Sequence, residues 1–182
     1  MNNICMKNKT NLLNQLRLLW SQHVYWTRFF IISTAEDLCD LSPVTDRLLR
    51  NPGDFEKLLV LFYGRKDAEQ FKTLLTEHLM IAADLVNAAK QNDTAKVNEA
   101  RKKWYENADE IADFLSKINP YWSSQKWKDL LYDHLKMTEK EAVLRLGGNF
   151  AADVKLFDSI EDEAMKMAEY MFQGISRQFC LS

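Results

Sequence analysis

The chain contains three histidines, and each interrupts the apolar face of a predicted helix. Residues spaced three and four apart along a helix share one face. Imidazole is a common ligand of divalent transition metals, so histidines on buried faces point to a metal site. The three lines are Leu12, Leu16, Leu19, His23, Trp26 and Phe30; Phe71, Leu74, His78, Ile81, Leu85 and Ala88; and Trp127, Leu130, His134, Met137, Glu141 and Leu144.

Two further polar residues interrupt apolar lines on the helices that return between these three. Asn107 lies among Trp104, Ile111 and similar residues, and Glu161 follows Phe157. Glu141 also lies on an apolar line, two turns beyond the nearest histidine. We expect Glu141 to pair with Arg28 or Arg145 near the end of the bundle.

Helix geometry predicts that these residues lie at one height. Each histidine is about 11 to 13 residues into its helix, which is ~17–20 Å at a rise of ~1.5 Å per residue. From His78, the number of residues to the end of its helix, counted back along the next helix, arrives near Asn107. The same count from His134 arrives near Glu161. The remaining returning helix offers only Leu58 or Leu59 at that height.

The set therefore predicts a metal-binding layer inside a helical bundle. His23, His78 and His134 would be ligands, Glu161 a fourth ligand or general base, and Asn107 a residue that orients a ligand. The ion would be a divalent transition metal: zinc, nickel, manganese or iron. A structural interpretation also stands, because a histidine on an apolar face is commonly a hydrogen-bonded core residue.

The elements that position this layer are predicted as six helices with short connections. The first covers about 10–38, and the second runs from Ser42 to Gly64 with a break at Pro52-Gly53. The third covers 67–90, and the fourth follows it and ends at about 118. The fifth runs from Ser123 or Ser124 to 147, and the sixth covers 149–178. No segment has the alternation typical of a strand. Short connections between long helices favour antiparallel neighbours, so the fold class is all-α, an up-down bundle of three hairpins.

The three hairpins resemble one another in sequence. L-L-T-E-H-L and L-L-Y-D-H-L each end just after a histidine, and the histidines are 55 and 56 residues apart. This spacing indicates a repeated hairpin unit.

Composition limits the class of protein. The chain has 182 residues, of which 47% are apolar, and a net charge of −2, which favours one domain over 9–182 after a polar lead-in at 1–8. The chain has no surplus of basic residues that would favour binding to nucleic acid. It shows no apolar run long enough for a membrane span and no pattern typical of a signal peptide. Three distant cysteines without a C-x-x-C spacing favour a reducing cytoplasm.

Five segments resemble a family of short all-helical bacterial proteins, some of which carry the label acetylglutamate kinase. The segments are W-S-Q-H-V-Y-W-T-R, R-L-L-R-N-P-G-D, L-L-T-E-H-L-M-I-A-A-D-L-V-N-A-A-K, W-Y-E-N-A-D-E-I-A-D-F-L and D-H-L-K-M-T. The resemblance covers about 16–179 and supplies no catalytic residues. The kinase label implies a glycine-rich α/β sandwich with phosphate loops, whereas this chain has five glycines and no predicted strand.

In general architecture the predicted layer is similar to the three-histidine metal bundles of the DinB kind, and less so to hemerythrin or ferritin. Two functions follow as hypotheses. One is a cytosolic metal-binding bundle, which would act as a metal-dependent hydrolase or transferase if one coordination position stays open to a small-molecule substrate. The other is a non-enzymatic interaction or structural module whose polar layer is a hydrogen-bonded core network.

Overall fold

A computed structural model describes residues 9–181 of the chain as helices joined by short turns, with no strand among them. The all-α prediction is confirmed. The predicted lead-in at 1–8 lies outside the described residues. The helices are α1 (Lys9–Ala35), α2 (Leu41–Leu49), α3 (Asn51–Lys90), α4 (Thr94–Ile118), α5 (Ser124–Leu146) and α6 (Phe150–Gln178).

The predicted second helix is split at the two places where proline and glycine disfavour a continuous helix. α2 ends at Leu49, and α3 starts at Asn51 with Pro52 in its first positions, where a missing N–H costs nothing. Gly64 then interrupts α3 with a φ of 77°, which is the left-handed region that favours glycine. α3 therefore consists of two segments, 51–63 and 65–90.

Side-chain caps define the starts of the later helices. Asp93, Ser123 and Asn149 precede α4, α5 and α6, and each accepts a hydrogen bond from the backbone N–H three residues on. The second helix, predicted to run from Ser42, already begins at Leu41. The residue before α2 is Asp40, whose carboxylate accepts a hydrogen bond from Ser33.

The long helices pack side by side around a main apolar core, and a second, smaller apolar cluster lies where α2 packs against its neighbours. α1 packs against α6, α6 against α5, α5 against α4, and α4 against α3, while α2 covers parts of α1 and α3. Within residues 9–181, none of the helices combines the length and the apolarity that a membrane span requires.

A layer of aromatic rings lies in the core on the side of the bundle where α1 begins. Trp20 contacts Phe55 edge-on at 5.2 Å between ring centroids and stacks with Trp127 at 6.5 Å. Phe55 in turn contacts Phe71 at 5.7 Å. We call these four residues the aromatic floor. Since Trp127 precedes His134 by two turns, and Phe71 precedes His78 by two turns, the floor lies on the N-terminal side of the histidines.

Candidate metal centre

The three histidines converge in the centre of the bundle, as the sequence predicts. Their ring centroids are 6.2 Å apart for His23 and His78, 5.5 Å for His23 and His134, and 6.3 Å for His78 and His134. Each residue is at most 2% exposed. One ring nitrogen from each lies within 4.8 Å of the others, a separation at which the group can hold a metal ion. We call these three residues the histidine layer.

A buried asparagine fixes the ring of His78. Asn107 Oδ1 lies 2.9 Å from His78 Nδ1, and the Asn107 amide nitrogen donates to the carbonyl of Leu74 at 3.1 Å. Because that second bond fixes which end of the amide is oxygen, Nδ1 must be the protonated nitrogen of the ring. The lone pair is therefore left on Nε2, as a metal ligand requires. Asn107, predicted to orient a ligand, thus lies against the ring of His78.

The same arrangement recurs at His23, where the helix geometry predicts only Leu58 or Leu59 at the height of the layer. Asn51 Oδ1 lies 3.3 Å from His23 Nδ1, and the Asn51 amide donates to the carbonyl of Leu19 at 3.0 Å. Asn51 is fully buried at the first turn of α3. It was missed because the Asn-Pro-Gly sequence was interpreted only as a helix break. His23 is thus also protonated on Nδ1.

The third histidine faces a carboxylate instead of an amide. His134 Nδ1 lies 3.7 Å from an oxygen of Glu163, which is 4% exposed. Neither His134 Nδ1 nor either carboxylate oxygen of Glu163 has a hydrogen-bond partner. Burial raises the pKa of Glu163 to about 8, helped by the nearby charge of Asp133. With both groups neutral at pH 7, this contact is not an ion pair in the metal-free chain.

Glu161, which is predicted from the sequence to lie in the layer, lies away from the three histidines. Its carboxylate accepts a hydrogen bond from the Tyr25 hydroxyl at a partly exposed position. Two residues correspond to about 200° around a helix, so Glu161 and Glu163 lie on opposite faces. Glu163 therefore occupies the place beside His134 that was predicted for Glu161, and Glu161 is not in the group of potential ligands.

A regular spacing connects every histidine with its partner. Asn51 follows His23 by 28 residues, and Asn107 follows His78 by 29. Glu163 likewise follows His134 by 29. The spacing of 29 residues from His78 to Asn107, applied to His134, arrives at Glu163; applied to His23 it arrives at Pro52, one residue beyond Asn51. The three hairpins therefore supply equivalent pairs to one centre, which supports the repeat suggested by the sequence.

Burial keeps the histidine layer neutral. Loss of hydration lowers the pKa of His23 to about 4 and that of His78 to about 3, with the charge of His23 adding to the effect on His78. The pKa of His134 is lowered well below its ordinary value for the same reasons. At neutral pH the layer is therefore a set of uncharged imidazoles, which is the form that binds a metal.

A separate charged cluster lies toward the end of the bundle. Arg28 donates to Glu141 at 2.5 Å and to Asp153 at 2.7 Å, and both carboxylates are buried. The predicted pairing of Glu141 with Arg28 is confirmed. Burial raises the pKa of Glu141 to about 7, an effect that Arg28 partly offsets. Arg145 also contacts Asp153 at 3.6 Å, so two arginines and two carboxylates form a structural ion-pair network between α1, α5 and α6.

Comparison with known proteins does not identify a relative. No protein-family model, no curated protein and no solved structure matches this chain. The resemblance to short all-helical bacterial proteins stays a prediction, and function must be argued from the histidine layer itself.

Proposed function

We propose that the chain is a metal-binding protein that holds one divalent transition-metal ion in the histidine layer. The ligands are the Nε2 atoms of His23, His78 and His134. One ring nitrogen of each histidine lies within 4.8 Å of the others, which supports the proposal. The Nδ1 contacts of His23 and His78 also support it, because they leave the Nε2 lone pairs of these two rings free. Three imidazoles with outer oxygen acceptors are the donor set of many zinc and iron proteins.

The observation that carries the proposal is the unsatisfied contact between His134 and Glu163. Leaving buried polar groups without partners costs about 1–3 kcal/mol each, so a purely structural core would not retain this pair without compensation. A bound cation would compensate for it. Positive charge on Nε2 favours the ionised form of Glu163 and strengthens the donation from Nδ1, which is the carboxylate–histidine arrangement of metal sites.

The composition of the layer narrows the choice of metal. Three neutral imidazoles suit zinc, iron or nickel better than manganese, which prefers oxygen ligands. Glu163 adds a single negative charge outside the ligand set. Three protein ligands also leave a coordination position for water or a substrate, as in catalytic zinc sites. A hydrolase or transferase activity depends on what can reach that position.

The alternative function is a structural or interaction module whose layer is a hydrogen-bonded network. The complete contacts of His23 with Asn51 and of His78 with Asn107 favour it, because they satisfy four buried groups without any metal. It does not explain the third pair, in which a histidine and a carboxylate face each other without a hydrogen bond.

Metal uptake by untagged protein tests the proposal. Purified chain is stripped with a chelator, titrated with zinc or iron(II) in a calorimeter, and analysed for metal after desalting. We expect one ion per chain for the wild type and none retained by His78→Ala. Leu79→Ala is the matched control, because it truncates the next buried residue of α3 without removing a ligand, and it should bind like the wild type.

Two outcomes would decide against metal binding in the histidine layer. One is wild-type protein that takes up no ion although it is folded and has been offered each metal. The other is equal uptake by His78→Ala, which would locate the ion outside the histidine layer. Either result would favour the structural module.

A further inference from the structure

A small cavity lies one helical turn beyond the histidine layer. Its walls include Thr27, Ala82 and Thr138, which follow His23, His78 and His134 by four residues each. One turn is ~5.4 Å along a helix, so the cavity is next to the layer on its C-terminal side. The aromatic floor closes the opposite side. The cavity therefore offers a ligand space on the C-terminal side of the layer, one helical turn from the histidines.

Two buried hydrogen-bond donors in the cavity wall have no partner. They are the hydroxyl of Thr138 and the indole N–H of Trp104, in residues that are 3% and 2% exposed. The Trp104 ring also contacts the His78 ring at 5.3 Å between centroids, which places this residue at the boundary between the layer and the cavity. Two donors without partners, both in residues that line one cavity, indicate a ligand with an acceptor atom.

The other threonine of the wall behaves differently. The hydroxyl of Thr27 donates to the backbone carbonyl of His23 at 2.7 Å, so it is satisfied within its own helix. The two threonines occupy equivalent positions in their hairpins and differ in whether a ligand is needed to complete their hydrogen bonds.

The size of the cavity limits the ligand. It leaves about 10 Å³ for the centre of a water-sized sphere, and one water needs roughly 10–15 Å³ on that measure. The remaining walls come from several helices and are apolar, namely Phe30, Ile31, Leu48, Leu79, Leu85 and Val86 among others. The exception is Glu139, whose carboxylate is paired with Arg101. Such walls do not compete for a polar ligand and exclude further water.

We infer that this cavity is the chamber for the metal's remaining ligand, and that it admits a molecule of one or two heavy atoms with a hydrogen-bond acceptor. Water and diatomic molecules meet this description, and organic substrates do not. Thr138 and Trp104 hold the acceptor atom. This inference rests on the proposed metal site and narrows it, because it assigns the centre to small-ligand binding and not to hydrolysis or transfer of organic groups.

Nitric oxide and imidazole provide the test, since they have two and five heavy atoms. Iron(II)-loaded protein is titrated with each under anaerobic conditions, and binding is followed by absorption and electron paramagnetic resonance. We expect nitric oxide to bind and imidazole to leave the spectrum of the wild type unchanged. Phe30→Ala enlarges the cavity at its wall, and it should allow imidazole to bind.

The paired threonine variants test the hydrogen bond. Thr138→Val removes the orphaned hydroxyl with little change of shape, and it should weaken nitric oxide binding about two- to tenfold, as expected for one hydrogen bond of about 0.5–1.5 kcal/mol. Thr27→Val is the matched control and should change nothing.

The outcomes separate this inference from the proposed function. Failure of the folded wild type to bind iron(II), zinc or nickel would overturn both. Iron binding with imidazole access in the wild type, or with equal effects of the two threonine variants, would overturn the chamber and leave the metal site standing.

Discussion

Replacing His78 with leucine should remove a specific part of the pH dependence of stability in the metal-free protein. Burial lowers the pKa of His78 from 6.5 in the unfolded chain to about 3 in the folded chain. Between these values the unfolded state binds a proton that the folded state does not. The contribution of His78 to stability is therefore complete above pH ~6.5 and is lost as the pH falls toward 3.

The magnitude follows from the size of the shift. Each pH unit in this window removes about 1.4 kcal/mol from the free energy of unfolding. From pH ~6.5 to pH ~5 the loss due to His78 is therefore about 2 kcal/mol. His78→Leu has no titrating group at this position and should not lose it.

The contribution of His78 is measured as the difference in the free energy of unfolding between the wild type and His78→Leu. Burial raises the pKa of Glu141 to about 7 and that of Glu163 to about 8, and these groups change stability with pH in the opposite direction. Both are present in the wild type and in His78→Leu, so their effects cancel in the difference. The assay is urea unfolding of chelator-treated protein at about pH 8 and about pH 5.

We expect the stability advantage of the wild type over His78→Leu to shrink by about 2 kcal/mol between the two pH values. Leu79→Ala serves as control, because it lowers stability without removing a titrating group, and its difference from the wild type should be independent of pH. An equally constant difference for His78→Leu would refute the claim that His78 is buried and neutral.

Three further predictions concern the metal and the packing. A chelator should lower the melting temperature of the metal-loaded wild type in a calorimetric scan, since an ion at 100 times its Kd adds ~2.7 kcal/mol to the free energy of unfolding. The melting temperature of His78→Ala should not change. Glu163→Gln should weaken metal affinity about 10- to 100-fold in calorimetric titration, whereas the control Glu161→Gln should not. Equal effects of the two variants would contradict the assignment of Glu163 as the partner of His134. Gly174→Ala should destabilise the fold by roughly 1–3 kcal/mol or more, because its Cβ would lie 1.9 Å from the indole nitrogen of Trp122; Gly53→Ala, with open space around the added Cβ, is the control in urea unfolding.

The helices and the histidine layer could be predicted from the sequence because each depends on local regularities. The 3.6-residue period sets the buried face of a helix, and the length of a hairpin sets the height that a returning residue reaches. These two rules were enough to bring His23, His78 and His134 together and to place Asn107 beside His78. Proline and glycine also predicted the breaks at Pro52 and Gly64.

The buried face of α6 is where the sequence was misleading. Its first turns carry Phe150 and Val154, and an apolar line through them passes through Glu161. In the folded chain these two side chains are 46% and 58% exposed, whereas Asp153 in the same turns is fully buried. The start of α6 is therefore covered on a different face from the one that the apolar line predicts. The buried face instead includes Asp153, Ile160 and Glu163.

The partners of the histidines were decided by tertiary structure. Asn51 reaches His23 because α3 begins beside α1 with its first turn buried, and no periodicity within a break sequence reveals that. Glu163 and His134 are left without hydrogen bonds by the packing of α5 against α6. The sequence by itself determined that three imidazoles share one height. Only the tertiary structure decided which oxygen faces each ring and that a cavity lies beside them, because both depend on the rotation of each helix about its own axis.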